Sequence, residues 1–272
     1  MPFWIELLPF VLAVAGAGIF GGLLAGLLGV GGGIVIVPVL FTVLEAVGTD
    51  SGLAIKIAVA TSLATIVLTS LSSARSHHAR GAVDYTLLRQ WALPVPIGVI
   101  IGTMTAGLAD GRLLTGTFGV VALLVALNMF IRRGNKPVRN GFPNTAVQSL
   151  WGGFVGLFSA MMGIGGGTLS VPILTAFGFD MRKAVGTASA IGFFIAIPGA
   201  IGFAIVGWSV PSLPPFSLGY INLVAFAAIA PLTMGFAPIG ARIAHAIAPE
   251  KLRVAFGVFL LATALRMFWS LL

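Results

Sequence analysis

The chain has 272 residues, of which 58% are hydrophobic and only 8% charged, with a mean hydropathy of +1.09. A water-soluble domain carries roughly 25% charged residues, so a soluble globular protein is excluded as a class. The formal charge of +8 does not point to nucleic acid, because the basic residues sit in short clusters between apolar blocks with no interleaved aromatics.

In chain order, ten apolar blocks are predicted: about 5–28, 34–47, 53–74, 90–109, 113–131, 144–162, 168–179, 184–207, 217–240 and 251–271. The first follows Met1-Pro-Phe-Trp-Ile-Glu6, which has neither the basic start nor the small-residue cleavage site of a signal peptide. It is expected to be retained as a span. A helix needs roughly 20 residues to cross the hydrocarbon. Most blocks reach that length, but the second and seventh have only 12 to 14 residues. They are expected to be half-helices starting inside the membrane, or else short helices of a tilted bundle. Folding blocks one and two, and six and seven, into re-entrant hairpins would give eight spans instead of ten, and the sequence leaves both open.

The basic residues orient the scheme. Arg75, Arg80 and Arg89 lie between blocks three and four, and Arg132, Arg133, Lys136 and Arg139 lie between five and six. Arg182 and Lys183 precede block eight, while Arg242, Lys251 and Arg253 flank the join of nine and ten. With these loops cytoplasmic, alternate crossings fit throughout and both termini lie outside.

The cluster Gly29-Val-Gly-Gly-Gly33 returns 134 residues later as Gly163-Ile-Gly-Gly-Gly167, each followed after five residues by a proline, Pro38 and Pro172. Ala58-Val-Ala-Thr-Ser-Leu63 matches Ala184-Val-Gly-Thr-Ala-Ser189. Gly102 matches Gly240 and Gly119 matches Gly257, both at an offset of 138. The charge map runs block three inward and its counterpart, block eight, outward. The expected fold is therefore an all-α polytopic membrane protein made of two inverted-topology repeats of about five helical segments each, with short discontinuous helices after the glycine clusters. The repeats span 1–131 and 144–272, joined by a cytoplasmic basic linker at 132–143. The alternative is an old duplication kept for packing, which suits the GxxxG pairs Gly22/Gly26 and Gly152/Gly156 better than the triplets. Three consecutive glycines supply no packing atoms, and each proline removes an N–H from its helix.

A helix beginning at Ile34 or Thr168 leaves its first N–H groups without intrahelical partners, and the glycines let an oxygen-bearing ligand approach them. Two such positive ends favour an anion. The candidate substrate-binding set is Gly31, Gly32, Gly33, Ile34, Thr61, Ser62, Gly165, Gly166, Gly167, Thr168, Thr187 and Ser189, with Thr65 and Ser170 as further hydroxyls. Each hydroxyl can equally serve its own helix carbonyls. Thr61 and Thr187 rank first because they hold equivalent places in the two halves. Lys56, Lys183 and Arg242 are candidates for an anion path, snorkelling to the interface being the alternative for the lysines. His245, Asn128, Asn222 and Gln148 are lesser candidates, and His77 and His78 are assigned to a solvated loop. No acid lies mid-span, which argues against a carboxylate relay and leaves proton or sodium coupling open. There is no cysteine, no HExxH and no paired intramembrane carboxylates, so neither an enzyme nor a metal or cofactor site is expected.

The stretches Gly21-Gly-Leu-Leu-Ala-Gly-Leu-Leu-Gly-Val-Gly-Gly-Gly-Ile-Val-Ile-Val-Pro38, Gly152 through Pro172 and Ala184-Val-Gly-Thr-Ala-Ser189 resemble the TauE/SafE family of bacterial membrane permeases. The likeness runs from about residue 10 to the C-terminus. It implies a multi-pass carrier of the bacterial inner membrane that exports sulfite or an organosulfonate such as sulfoacetate. Ala188 stands where the first half has Ser62, so ligation by the two halves is not expected to be symmetrical. The sequence alone also admits an importer of the same architecture or a non-transport membrane assembly protein. It sets no oligomeric state, a homo-oligomer included.

Overall fold

The computed structural model describes residues 3–28, 31–131, 137–243 and 249–271. Within them the chain runs through α1 (Phe3–Leu28), α2 (Gly33–Ala46), α3 (Ser51–His78), α4 (Tyr85–Trp91), α5 (Pro94–Leu108), α6 (Gly111–Ile131), α7 (Thr145–Met162), α8 (Gly167–Ala176) and α9 (Met181–Val206). A hairpin of β1 (Ser217–Leu218) and β2 (Ile221–Asn222) leads into α10 (Leu223–Ile243) and α11 (Pro249–Trp269). Polar caps start the long helices where the apolar blocks begin. The Asp50 carboxylate accepts from Leu53 N at the head of α3, Asp180 accepts from Arg182 N at α9, and Asn144 accepts from Val147 N at α7. Each cap satisfies a helix-end donor that has no partner within the helix.

This is an all-α polytopic membrane protein. Helices α3, α6, α9 and residues Leu223–Gly240 of α10 are each long and apolar enough to cross a bilayer, and α4 with α5 makes a fifth candidate bent by 45°. Ile97, Ile100, Ile101 and Met104 of α5 are exposed, as a lipid-facing surface requires, while backbone polar groups stay inside helices. Helix α3 is the central element, packed against α2, α9 and α10.

Two blocks differ from the sequence expectation. The block at 90–109 is not one helix: Pro94 opens α5 and has no N–H with which to continue the hydrogen bonding of α4, so α4 stops at Trp91. The block at 217–240 starts with the hairpin, because Pro211, Pro214 and Pro215 block a helix and Gly219 turns with φ +55. Ser217 pairs with Asn222 and Leu218 with Ile221.

The strongest helix pairings are α1 with α10, α5 with α7, α3 with α9 and α6 with α11. In the first two of these pairs the backbones themselves approach closely. A Cβ on Gly22 would lie 2.8 Å from Thr233 Cα, and one on Gly156 would lie 2.1 Å from Val95 O. A Cβ on Gly240 would lie 2.1 Å from Leu23 O, and on Gly102 2.4 Å from Leu157 O. A Cβ on Gly119 would lie 3.0 Å from the Phe268 ring, and one on Gly257 would lie 3.0 Å from the Phe130 ring.

Residues 132–136 of the expected linker lie outside the described residues. Its remainder folds against the end of α8, where Val138 N and Arg139 N donate to Ala176 O at 2.8 and 3.2 Å. Phe142 stacks on Phe177 with ring centroids 4.2 Å apart.

Candidate functional site

The two glycine clusters interrupt the chain as separate helix ends. Gly31 and Gly32 both take left-handed backbone, φ +75 and +78, a region open to glycine at little steric cost. The Gly32 carbonyl then accepts from Val35 N and Ile36 N to start α2. Gly29 and Val30 lie outside the described residues. In the second cluster α7 ends at Gly163, φ +63, with Gly163 N donating to Ala160 O and Ile164 N to Ser159 O. That pair of bonds is a Schellman stop. Helix α8 restarts at Gly167, with Ser170 N donating to Gly166 O at 2.8 Å.

These two breaks touch. A side chain at Gly33 would begin 2.3 Å from Gly163 O and 2.8 Å from Ser62 Oγ, and one at Gly31 would begin 3.2 Å from Gly165 Cα. Ser62 Oγ donates to Gly163 O at 2.7 Å, tying α3 to the second break. Gly166 packs against Ile191, Ile195 and the Ala188 carbonyl of α9. Gly31, Gly32, Gly33, Ile34, Gly165, Gly166, Gly167 and Thr168 are all buried. Residues 130 positions apart in sequence thus share one region between α3 and α9.

The candidate hydroxyls divide into those already engaged and those that are not. Thr61 Oγ1 accepts from Asn222 N at 2.9 Å, and Thr187 Oγ1 accepts from Asp84 N at 2.8 Å. Ser189 Oγ donates to Val185 O and accepts from Ser73 Oγ at 3.2 Å, while Thr65 Oγ1 donates to Ser62 O of its own helix. Thr168 and Ser170, on α8, are 2% and 0% exposed, and neither hydroxyl has a hydrogen-bond partner. Ser159, in the last turn of α7, is in the same condition. Sequence reading missed Ser159; the signal was a hydroxyl in the repeat position that Ala25 occupies in the first half. Buried polar groups are ordinarily paired, so three unpaired hydroxyls on the two helices flanking one break mark the polar part of this core. Among the described residues no Asp, Glu, Lys, Arg or His is buried.

The charged candidates lie away from the breaks. Lys56 Nζ donates to Gly107 O at 3.0 Å, in the last turn of α5, and stands 5.8 Å from the Tyr220 ring. It lines a cavity of about 260 Å³ with Asp50, Gly52, Leu53, Asp110, Gly111 and Tyr220. This cavity sits where the N-terminal ends of α3 and α6 meet, about one and a half helical turns along α3 from Thr61. Lys183 and Arg242 are exposed near helix ends, and His245 lies outside the described residues. Asn222 is a helix cap, its Oδ1 accepting from Ala225 N, and Gln148 bonds Gln90. Among the described residues no cluster of three or more metal-ligating side chains occurs.

Many apolar helices pack around two short ones whose starts meet in a buried and partly polar core, an architecture that suits a membrane transporter. The chain belongs to the TauE/SafE family: the family described as Sulfite exporter TauE/SafE matches residues 14–267. A probable membrane transporter protein of Haemophilus influenzae is 34% identical over 260 residues, covering 95% of this chain and 98% of that one. The probable membrane transporter protein YunE of Bacillus subtilis is 28% identical over 217 residues, 73% and 79% of the two chains. One from Methanocaldococcus jannaschii is 24% identical over 255 residues, 91% and 90%. No solved structure matches the chain.

Proposed function

We propose that this transporter exports a small sulfur oxyanion, sulfite or an organosulfonate such as sulfoacetate, through a single site at the meeting of its two glycine breaks. The observation that carries the reading is the contact of Gly33 with Gly163 O and of Gly31 with Gly165, which brings the start of α2 and the approach to α8 into one buried place. The first N–H groups of each short helix have no intrahelical acceptor, and the helix dipoles add positive potential there. An anion with several acceptor oxygens suits such a site. The family description names sulfite export, which supports the choice of sulfur.

In this reading residues 1–131 and 144–272 are inverted repeats joined at 132–143, and the site is exposed to the two sides in turn. The reciprocal contacts support it: Gly22 meets Thr233 as Gly156 meets Val95, and Gly240 meets Leu23 as Gly102 meets Leu157. With the cell interior negative, outward movement of an anion releases about 2.3 kcal/mol per elementary charge per 100 mV, so export needs no intramembrane acid. The test is flux in liposomes containing the purified protein, with sulfite, sulfoacetate, taurine and sulfate offered in turn under an imposed potential. Faster anion exit toward the positive side is expected for sulfite or sulfoacetate. Absence of flux for all four would refute the substrate class, and flux indifferent to voltage would refute the electrogenic form.

A further inference from the structure

Thr61 and Thr187 hold matching places in the two halves, and the structure gives them the same task. Each threonine oxygen accepts a hydrogen bond from the backbone N–H of a helix-capping residue on another segment: Asn222 for Thr61 at 2.9 Å and Asp84 for Thr187 at 2.8 Å. Asn222 caps α10 through Ala225 N, and Asp84 caps α4 through Thr86 N and Leu87 N. The two capping residues stand 138 positions apart, the offset that also relates Gly102 to Gly240.

Both capping segments are wedged against the helices beneath them. A Cβ on Gly186, next to Thr187, would lie 2.3 Å from Ala82 O. On the other segment, a Cβ on Gly219 would lie 2.1 Å from Ala204 O, and one on Gly207 would lie 2.4 Å from Tyr220 N. The segment ending at Asp84 belongs to the face that carries Arg75, Arg80 and Arg89; the β1–β2 hairpin ending at Asn222 belongs to the opposite face. Each threonine adjoins the core: Ser62, next to Thr61, bonds Gly163 O, and Ala188, next to Thr187, has its carbonyl against Gly166.

We propose that these two bonds are the gates of the transporter, Thr61–Asn222 closing the core toward the hairpin face and Thr187–Asp84 closing it toward the basic face. The inference rests on the alternating-exposure reading above and reassigns both threonines from ligands to latches. Both bonds are formed in this structure. Opening either side breaks one bond and leaves the other intact.

The chain has no cysteine, so single reporters can be read without background. Ala58 and Ala184 occupy matching positions one helical turn from the two threonines, and both are 0% exposed. Ala58→Cys and Ala184→Cys would be labelled with a membrane-impermeant maleimide, from the hairpin face and from the basic face respectively, in sealed vesicles of both orientations. Thr61→Val keeps the shape and removes the acceptor; it is expected to raise labelling of Ala58→Cys on the order of fivefold, the loss of one net hydrogen bond, and to leave Ala184→Cys unchanged. Thr187→Val is expected to do the reverse, and Thr→Ser at either place should restore the parent rates. Equal effects of both valines on both reporters, or no effect of either, would overturn the assignment.

Should a valine variant not accumulate, the Thr61→Cys/Asn222→Cys pair oxidised to a disulfide provides the second measurement. Flux is expected to stop and to return on reduction, and a cross-linked protein that transports at the full rate would overturn the gate. Parent flux of sulfite is measured alongside. One-sided labelling in a protein that moves none of the four anions would uphold the gates and reject the substrate class. Sulfite flux with symmetrical labelling would do the opposite.

Discussion

The two glycine breaks are alike in sequence and unlike in what surrounds them. In the first, the short helix α2 carries Ile34 and Ile36, both fully buried, and α1 contributes Ala25. At the matching positions of the second, α8 carries Thr168 and Ser170, and α7 contributes Ser159, all three buried without a hydrogen-bond partner. The backbones differ too. The first break uses two consecutive left-handed glycines, Gly31 and Gly32, whereas the second ends α7 with one, Gly163, and enters α8 through a right-handed Gly166. The same glycine pattern places both helix breaks, but the side chains around them differ: the first break is an apolar wedge and the second holds the hydroxyls. Leaving a buried hydroxyl unpaired costs about 1–3 kcal/mol.

The largest effect expected from breaking this comparison is at the contact itself. Gly33→Val would put a side chain 2.3 Å from Gly163 O, so either the two breaks separate or the protein does not accumulate. Loss of at least 90% of flux is expected, on the order of the several kcal/mol that severe backbone clashes produce. Gly32→Val should behave similarly, since it adds a positive-φ penalty to a 2.6 Å contact with Gly21 O. Gly235→Ala, where nothing lies within 4 Å, is the control and should leave membrane abundance and flux unchanged. Normal flux in Gly33→Val would move the site elsewhere.

Next in size are the hydroxyls of the second break. If they contact the anion, Thr168→Val and Ser170→Ala should each raise KM about tenfold, the value of one good hydrogen bond to a charged ligand. Thermal stability should hold or rise, because an unpaired polar group has been removed from the core. The opposite signs separate a binding role from a structural one. Ile34→Val on the first break should leave KM near the parent value and cost about 1 kcal/mol of stability through lost packing. A KM that moves equally for Ile34→Val and Thr168→Val would erase the distinction between the breaks.

Much of this architecture was legible in the sequence, for identifiable reasons. Apolar length and the paired triplets locate the broken helices: α2 and α8 begin at Gly33 and Gly167, because glycine and proline punctuate a helix by purely local physics. What was not legible depends on long-range contacts. Thr61 and Thr187 stand out in the sequence as a pair, but no periodicity tells a ligand hydroxyl from one that accepts from Asn222 or Asp84, more than 100 residues away. Pro94 is readable as a helix start only once α4 is known to precede it with its own cap, Asp84. Ser159 was passed over because a lone serine in an apolar helix is normally satisfied by its own backbone; its isolation appears only in three dimensions. The sequence leaves Lys56 as a candidate either for an anion path or for snorkelling to the interface, and its bond to Gly107 O also makes it a cap for α5.

That double reading of Lys56 yields a smaller prediction. A cation at a helix C-terminus is worth about 0.3–1 kcal/mol, so Lys56→Met should lower stability by no more than that if capping is its whole role. Flux per folded molecule would then be unchanged. A fall in flux that vanishes at high salt would instead place Lys56 and its cavity on the anion path, since screening acts on exactly that attraction.

The smallest effect concerns an ion pair that joins the first break to the second half. Arg266 Nη2 meets Glu45 Oε2 at 3.1 Å, tying the end of α2 to α11, and Ser51 Oγ donates to Glu45 Oε1. At the matching positions stand Phe179, just after α8, and Asn128, in α6, and these two side chains cannot form an equivalent ion pair. The two side chains are 40% and 20% exposed, and such pairs contribute about 0–1 kcal/mol. Arg266→Gln is therefore expected to change the unfolding midpoint by a degree or two at most, with flux kept. If α2 is instead held still by this pair while α8 moves, Arg266→Gln should increase labelling of Ala58→Cys without altering stability. The first break would then be fixed by a tether, and the breaks would differ in mobility as well as in chemistry.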